Sequence, residues 1–328
     1  MPAINPVLVR SDRGGLPEIC HRGVVVAWQG DAAVLLRGDA TEACFMRSTA
    51  KYFQAMAVLR SGVLRRHPLK ADELALMCAS HGGEPRHVEV AARLLRHGGL
   101  DAAHLRCGSH WPMHARSAQL LSVAGAVPTP LHNNCSGKHA GMLLAAQLHG
   151  FDLESYLSPD HPHQRAVLAL LRDYAGTDAI SVAMDGCSAP TFALPVEAAA
   201  RAFARFALES AHVGSDAHTL AQAVAEQPAM LAGEGRFCTG IATATEGRVQ
   251  AKTGADGYFG AFCRASGTGI ALHIDDGQTS ASERVLLAAL ERLGLMRPAE
   301  ITALDAWCNP RRLNRIGHEV GRTLVTLD

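Results

Sequence analysis

Strand-forming runs stand near both ends of this chain, and a long helix-forming middle separates them. Near the start, Gly23-Val24-Val25-Val26-Ala27-Trp28 is a β-branched apolar run, Gln29-Gly30-Asp31 turns it, and Ala32-Ala33-Val34-Leu35-Leu36 returns as a hairpin. Near the end, residues 248–254, 258–263 and 269–274 read as three strands joined by tight glycine-containing turns, followed by an alanine- and leucine-rich helix over about 282–293.

The middle, roughly 71–233, is rich in alanine and carries apolar residues at helical spacing. Val88, Ala91, Leu94 and Leu95 fall on one face, as do Val167, Leu170, Leu171 and Tyr174. A further helix is expected from Ser48 to about Arg60, where Phe53, Met56, Ala57 and Leu59 suit one buried side. Strands at both ends can pair, so the expectation is an α+β fold. Its antiparallel sheet lobe comes from about 1–45 and 236–328, with a helical lobe over about 46–235, the two forming a single folded unit.

Composition narrows what such a fold can do. With 48% of its 328 residues hydrophobic and 19% charged, the chain can bury a core without cross-links. Thirty-one basic residues balance thirty-one acidic ones, which removes the electrostatic case for nucleic acid or an anionic membrane as partner. No apolar run approaches a bilayer's thickness, and the start shows no basic-apolar-cleavage pattern, so a cytoplasmic protein is expected. Nine scattered cysteines then read as buried thiols or metal ligands rather than a disulfide framework.

Three constellations could carry chemistry. In Ser48-Thr49-Ala50-Lys51, positions i and i+3 share a helix face, and a depressed lysine could serve as base to a serine nucleophile. The alternative is a capping serine with a solvated lysine. Lys252-Thr253-Gly254 on a predicted strand gains meaning beside it, because S-x-x-K, a second serine motif and K-T-G mark serine β-lactamases and penicillin-binding proteins. Ser80 is the second serine candidate, where Ser80-His81-Gly82 stands in place of the usual Ser-Asp-Asn. The third constellation is Asn133-Asn134-Cys135-Ser136-Gly137-Lys138-His139 with Asp185-Gly186-Cys187-Ser188. Cys135 sits where a helix N-terminus would lower its pKa, and two thiolates completed by a nitrogen ligand would suit zinc, although C-x-x-K is no standard ligand spacing.

Taken in order, Arg47-Ser48-Thr49-Ala50-Lys51, Ser80-His81-Gly82-Gly83, Asn134–His139, Asp185-Gly186-Cys187 and Lys252-Thr253-Gly254 resemble the Rhizobium-type L-asparaginases, also called asparaginase II or class 3. The resemblance spans most of the chain and implies a fold similar to serine β-lactamases. It implies two Ser-Lys pairs, Ser48 with Lys51 and Ser80 with Lys252, and a zinc ion on Cys135, Lys138 and Cys187. It also implies a homodimer.

Hydrolysis of the side-chain amide of L-asparagine is the corresponding expectation. Arg47, His139 and Asp185 are candidates for substrate binding, Arg47 toward the α-carboxylate and Asp185 toward the α-amine. The backbone N–H of Ser48 is a candidate oxyanion donor. Two rivals remain open: a β-lactamase-like serine peptidase or esterase, and a non-catalytic small-ligand binding protein of the same fold.

Overall fold

The computed structural model describes residues 4–308 and 311–327. Its strands are β1 (Val7–Arg13), β2 (Leu16–Gln29), β3 (Ala32–Arg37), β4 (Ala43–Phe45), β5 (Ser181–Met184), β6 (Pro190–Pro195), β7 (Val249–Thr253), β8 (Tyr258–Cys263), β9 (Thr268–Ile274), β10 (Arg312–Leu313), β11 (Glu319–Gly321) and β12 (Thr323–Val325). Its helices are α1 (Lys51–Arg60), α2 (Val63–Arg66), α3 (Ala71–Met77), α4 (Pro85–Arg96), α5 (Ala115–Val123), α6 (Ser136–Leu148), α7 (Pro162–Ala175), α8 (Val196–Ser210), α9 (Asp216–Glu226), α10 (Pro228–Leu231), α11 (Phe237–Ala244) and α12 (Thr279–Arg292), with two short helical segments between α12 and β10. The chain divides into two compact units: residues 1–49, 193–208 and 248–328, and residues 50–192 and 209–247.

The first unit is built on an antiparallel sheet in the order β12-β1-β2-β9-β8-β7, with β3 also paired to β2. The mixed α+β class read from the sequence is therefore what the chain adopts. The hairpin of β2 and β3 and the strands β7, β8 and β9 fall where the apolar runs place them. The sequence reading overlooked β1 and β12, and β5 and β6 lie inside the stretch read as dominated by helical signals.

Close backbone approach fixes the sheet's cover. A Cβ on Gly269 would stand 2.0 Å from the Ala204 amide nitrogen and 2.3 Å from the Ala200 carbonyl oxygen, so α8 lies directly on β9. A Cβ on Gly260 would meet the Phe203 ring at 2.3 Å, and the Phe206 and Phe262 rings pack with centroids 4.8 Å apart. Side chains alternate along a strand, so Gly260 and Phe262 share one face of β8. On the sheet, α12 packs against β8 and β9.

In the second unit α1 and its neighbours α6 and α7 pack together, while α3 meets α4, α6 and α9. The face expected on α7 is buried at Val167, Leu170, Leu171 and Tyr174. On α4 the buried apolar set is Val90, Ala91, Leu94 and Leu95, with Val88 only half-buried, one step around the helix from the expected stripe. The helix expected from Ser48 begins as a 3-10 turn, Arg47–Ala50, which passes into α1. Among the described residues no helix is long and apolar enough to cross a membrane.

Candidate active site

Two glycines bring the third constellation to the end of α3. A Cβ on Gly137 would lie 2.4 Å from the Leu76 carbonyl oxygen, and one on Gly141 would lie 2.5 Å from the Met77 sulfur. The face of α6 that carries them therefore presses on the last turn of α3, which is why any larger residue there would push the helices apart. The chain leaving α3 runs through Ser80, and α6 begins just after Cys135, so both are set down side by side.

The loop that carries Ser80 is held at almost every residue. The Ser80 amide donates to the Leu231 carbonyl (3.0 Å), the His81 amide to the Asn134 carbonyl (3.3 Å), and the Gly82 carbonyl accepts from the His114 amide (2.9 Å). Gly83 takes φ +73°, which strains any other residue, and a Cβ there would crowd the His132 carbonyl and Pro112 at 3.1 Å. His81 is fully buried and accepts from the Gly83 amide at Nδ1, so its Nε2 carries the proton toward Ser136 Oγ, 2.9 Å away. Burial, and then the neighbouring His87 and Lys51, hold this imidazole neutral. The His81 and His87 rings stack with centroids 4.9 Å apart.

Lys51 meets this loop from α1. Its Nζ lies 2.5 Å from the Ala79 carbonyl, 3.3 Å from the Asn134 carbonyl and 2.9 Å from Ser80 Oγ. The side chain is wholly buried, and burial pushes its pKa below the usual lysine value. The two carbonyls and Ser80 Oγ accept from this nitrogen, and Cys135 is a further hydrogen-bond partner. Burial favours the uncharged amine, while the neighbouring Cys135 and Cys187 sulfurs act in the opposite direction.

Beside Lys51 stand Cys135, Lys138 and Cys187, all buried. Lys138 Nζ donates to Cys187 Sγ at 3.1 Å. A hydrogen bond from Cys135 is the main reason that Cys187 is held as thiolate, with the Lys138 charge adding to it. The same bond keeps Cys135 protonated, far above the usual thiol value. The helix N-terminus was expected to lower Cys135; instead the shared proton stays on it, because a second thiolate beside Cys187 would cost more than the helix end returns. Burial works against the Lys138 charge, but Cys187 and Cys135 more than offset it and hold that amine protonated.

This trio fits zinc in charge as well as in donor type. Without metal it holds one thiolate, one thiol and one ammonium; replacing the thiol proton and the extra amine proton by a divalent ion leaves the net charge unchanged. Among the described residues no three of His, Cys, Asp or Glu gather as a metal cluster, so the donor set rests on the lysine.

His139, the next residue on α6, is fully buried; its Nδ1 lies 2.7 Å from the Tyr156 hydroxyl, which also accepts from the Arg106 amide at 3.0 Å. Asp185 is half-buried in a turn closed by bonds to Gly186, Ser188 and Ala189. Tyr156 and the carbonyls of Ala79 and Asn134 escaped the sequence reading. The Asn133-Asn134 doublet was a signal for the last, while nothing around Tyr156 marked it.

The sheet unit holds the remaining candidates. Arg47, at φ +49°, precedes Ser48 and is ion-paired with the exposed Asp256. Lys252 is buried on β7 and donates to the Thr253 carbonyl at 2.8 Å. A Cβ on Gly254 would lie 3.0 Å from the Met46 carbonyl oxygen, so the Lys252-Thr253-Gly254 strand end runs against the segment that leads into Ser48.

Among solved structures the chain is similar to a putative β-lactamase from Bacteroides dorei DSM 17855, at 14% identity and a TM-score of 0.45, covering 84% of this chain and 93% of that one. It is also similar to a class C β-lactamase, at 13% identity and a TM-score of 0.43, covering 84% and 92%. At those scores the likeness carries no argument about this site. No curated protein matches the chain. The L-asparaginase II family, by contrast, matches residues 9–325, nearly the whole length. The chain belongs to the L-asparaginase II family and is an amidohydrolase.

Proposed function

We propose that the enzyme hydrolyses L-asparagine to L-aspartate and ammonia through a serine ester, with Lys51 as the base. The observation that supports this most directly is the buried amine between two carbonyls and a serine hydroxyl. Ser48, three residues before Lys51, loses its proton to the Lys51 amine as its oxygen attacks the side-chain amide carbon. The proton then passes to the leaving nitrogen, which departs as ammonia. Water cleaves the resulting aspartyl ester, and the serine regains its proton. On the family resemblance, Ser80 and Lys252 assist the transfer to nitrogen, Arg47 pairs with the α-carboxylate, and Asp185 with the α-amine.

A second assignment of the nucleophile draws on a specific distance: Ser80 Oγ stands 2.9 Å from Lys51 Nζ and could itself attack. Trapping of the aspartyl ester by acid quench, read by intact mass on Ser48→Ala and Ser80→Ala variants, separates the two. Ester retained in Ser80→Ala and lost in Ser48→Ala supports Ser48, and the reverse pattern moves the nucleophile to Ser80. Chromogenic β-lactam hydrolysis with no ammonia from asparagine would overturn the reaction itself.

Cys135, Lys138 and Cys187 would hold a zinc ion. When bound, it would take the place of two protons, fixing both sulfurs as thiolates and Lys138 as a neutral amine. Cytoplasmic residence and a homodimer free of nucleic-acid and membrane partners complete this reading; sedimentation of the purified protein tests the dimer.

A further inference from the structure

We propose that His81 is a positioning residue for the reaction: its ring, bonded to Ser136, keeps the Ser80 hydroxyl against Lys51. This rests on the part in the reaction given to Ser80 above.

Lys51 touches two separate stretches of chain. Its Nζ meets the Ala79 carbonyl and Ser80 Oγ on the loop leaving α3, and the Asn134 carbonyl on the turn before α6. The Ser80 hydroxyl can stay at the amine only while those two stretches keep their spacing. His81 ties them twice. Its amide donates to the Asn134 carbonyl at 3.3 Å, and its Nε2–H donates to Ser136 Oγ at 2.9 Å. The first bond is long, so the ring makes the closer tie.

Neighbours on every side direct that ring. The Gly83 amide donates to Nδ1 at 3.2 Å, which leaves the ring proton on Nε2. One face stacks on His87, with 4.9 Å between centroids and 17° between planes. His87 is held in turn by the Glu84 amide at 3.2 Å and the Ala229 carbonyl at 3.0 Å. Beyond the ring, Ser136 Oγ donates its own proton to the Leu131 carbonyl at 3.1 Å. His81 and Ser136 are both sealed from solvent, so the bonds of this chain act in a low dielectric and reinforce one another. An apolar pair of the same shape would be nearly neutral or stabilising. What the imidazole and the hydroxyl add is therefore direction.

The two ring nitrogens can be tested separately. Glutamine places its amide nitrogen near Nε2 and can still donate to Ser136. Asparagine places its side-chain oxygen near Nδ1, where it can accept from Gly83, and falls short of Ser136. Initial rates on L-asparagine give KM and kcat per folded molecule, and urea unfolding gives stability. In His81→Asn we expect kcat to fall by up to about a hundredfold with KM nearly unchanged. In His81→Gln both should stay near wild type. Ser136→Ala should match His81→Asn, and the double variant should be no worse than either, because the same bond is lost in all three. Ser136→Ala also serves if His81→Asn does not fold. A lower urea midpoint with unchanged kcat in His81→Asn would overturn the proposal and leave the ring a structural role. Equal loss in the Asn and Gln variants would also overturn it. Full kcat in Ser80→Ala would instead remove the underlying reading of Ser80.

Discussion

The two units differ in what they bury. In the sheet unit the interior is mostly apolar and closely fitted: Gly260 and Gly269 admit α8 at van der Waals distance, and the aromatic rings of α8 and β8 interlock. In the helical unit the interior around Lys51 is crowded with polar and ionisable groups, including Ser80, His81, Cys135, Lys138, His139 and Cys187. Apolar burial stabilises a fold at little risk, whereas each buried charge or unpaired donor costs it. The helical unit thus gives up stability where the chemistry is concentrated, and the sheet unit supplies regular, close-packed structure.

Lys51→Met is the strongest test of that contrast. Removing a general base should cut turnover about a thousandfold, while removal of a wholly buried amine should leave the urea midpoint unchanged or higher. Retained ammonia release, or a clear fall in the midpoint, would break the comparison. Gly269→Ala should do the opposite. Its new methyl would strike the α8 backbone, costing about 3 kcal/mol in denaturant unfolding, with normal turnover per folded molecule.

Acid should act next, and on the helical unit. Burial holds His163 down at about 4 against an ordinary 6.5, and its Nε2 has no partner among the described residues. The unfolded chain takes up that proton first, so the stability is whole above pH 6.5 and is lost as pH falls toward 4. The loss is on the order of 3 kcal/mol for a shift of this size. Urea midpoints measured across that window should fall less steeply in His163→Leu than in wild type; parallel slopes would refute the attribution. The smallest effect belongs to Asp256→Asn. Its carboxylate is largely exposed, so loss of the ion pair with Arg47 should change stability by less than about 1 kcal/mol. A change in KM for asparagine alongside it would sharpen the case for Arg47 at the substrate carboxylate.

Legibility follows the same division. Strands β2, β3, β7, β8 and β9 declared themselves through apolar runs and glycine turns, because burial on a sheet leaves a period-two or continuous signal. The polar alternation of Val9-Arg10-Ser11-Asp12 hid β1, and β12 is three residues long. Alanine-rich surroundings hid β5 and β6. The candidate residues were visible as motifs, but the bond between Lys51 and Ser80 was not. It joins positions 29 apart and depends on glycines at 137 and 141 that bring α6 onto α3. Sequence spacing likewise gave no hint that Cys187, rather than Cys135, would be the thiolate, since the sharing of one proton depends on how two distant segments meet.

The register of the sheet has a consequence for the order of events during synthesis. Ser11 pairs with Thr323 and Val25 with Leu272, so strands synthesised early wait for partners synthesised much later. Most of the helical unit, residues 50–192 and 209–247, emerges in that interval and can collapse on its own contacts. Until residue 272 arrives, the β2–β3 hairpin carries an unsatisfied edge where β9 belongs, and that edge is the segment most exposed to pairing with a neighbouring nascent chain. Slow elongation through the stretch before β7 would therefore lengthen the time the enzyme spends open to aggregation, without changing the stability of the finished molecule.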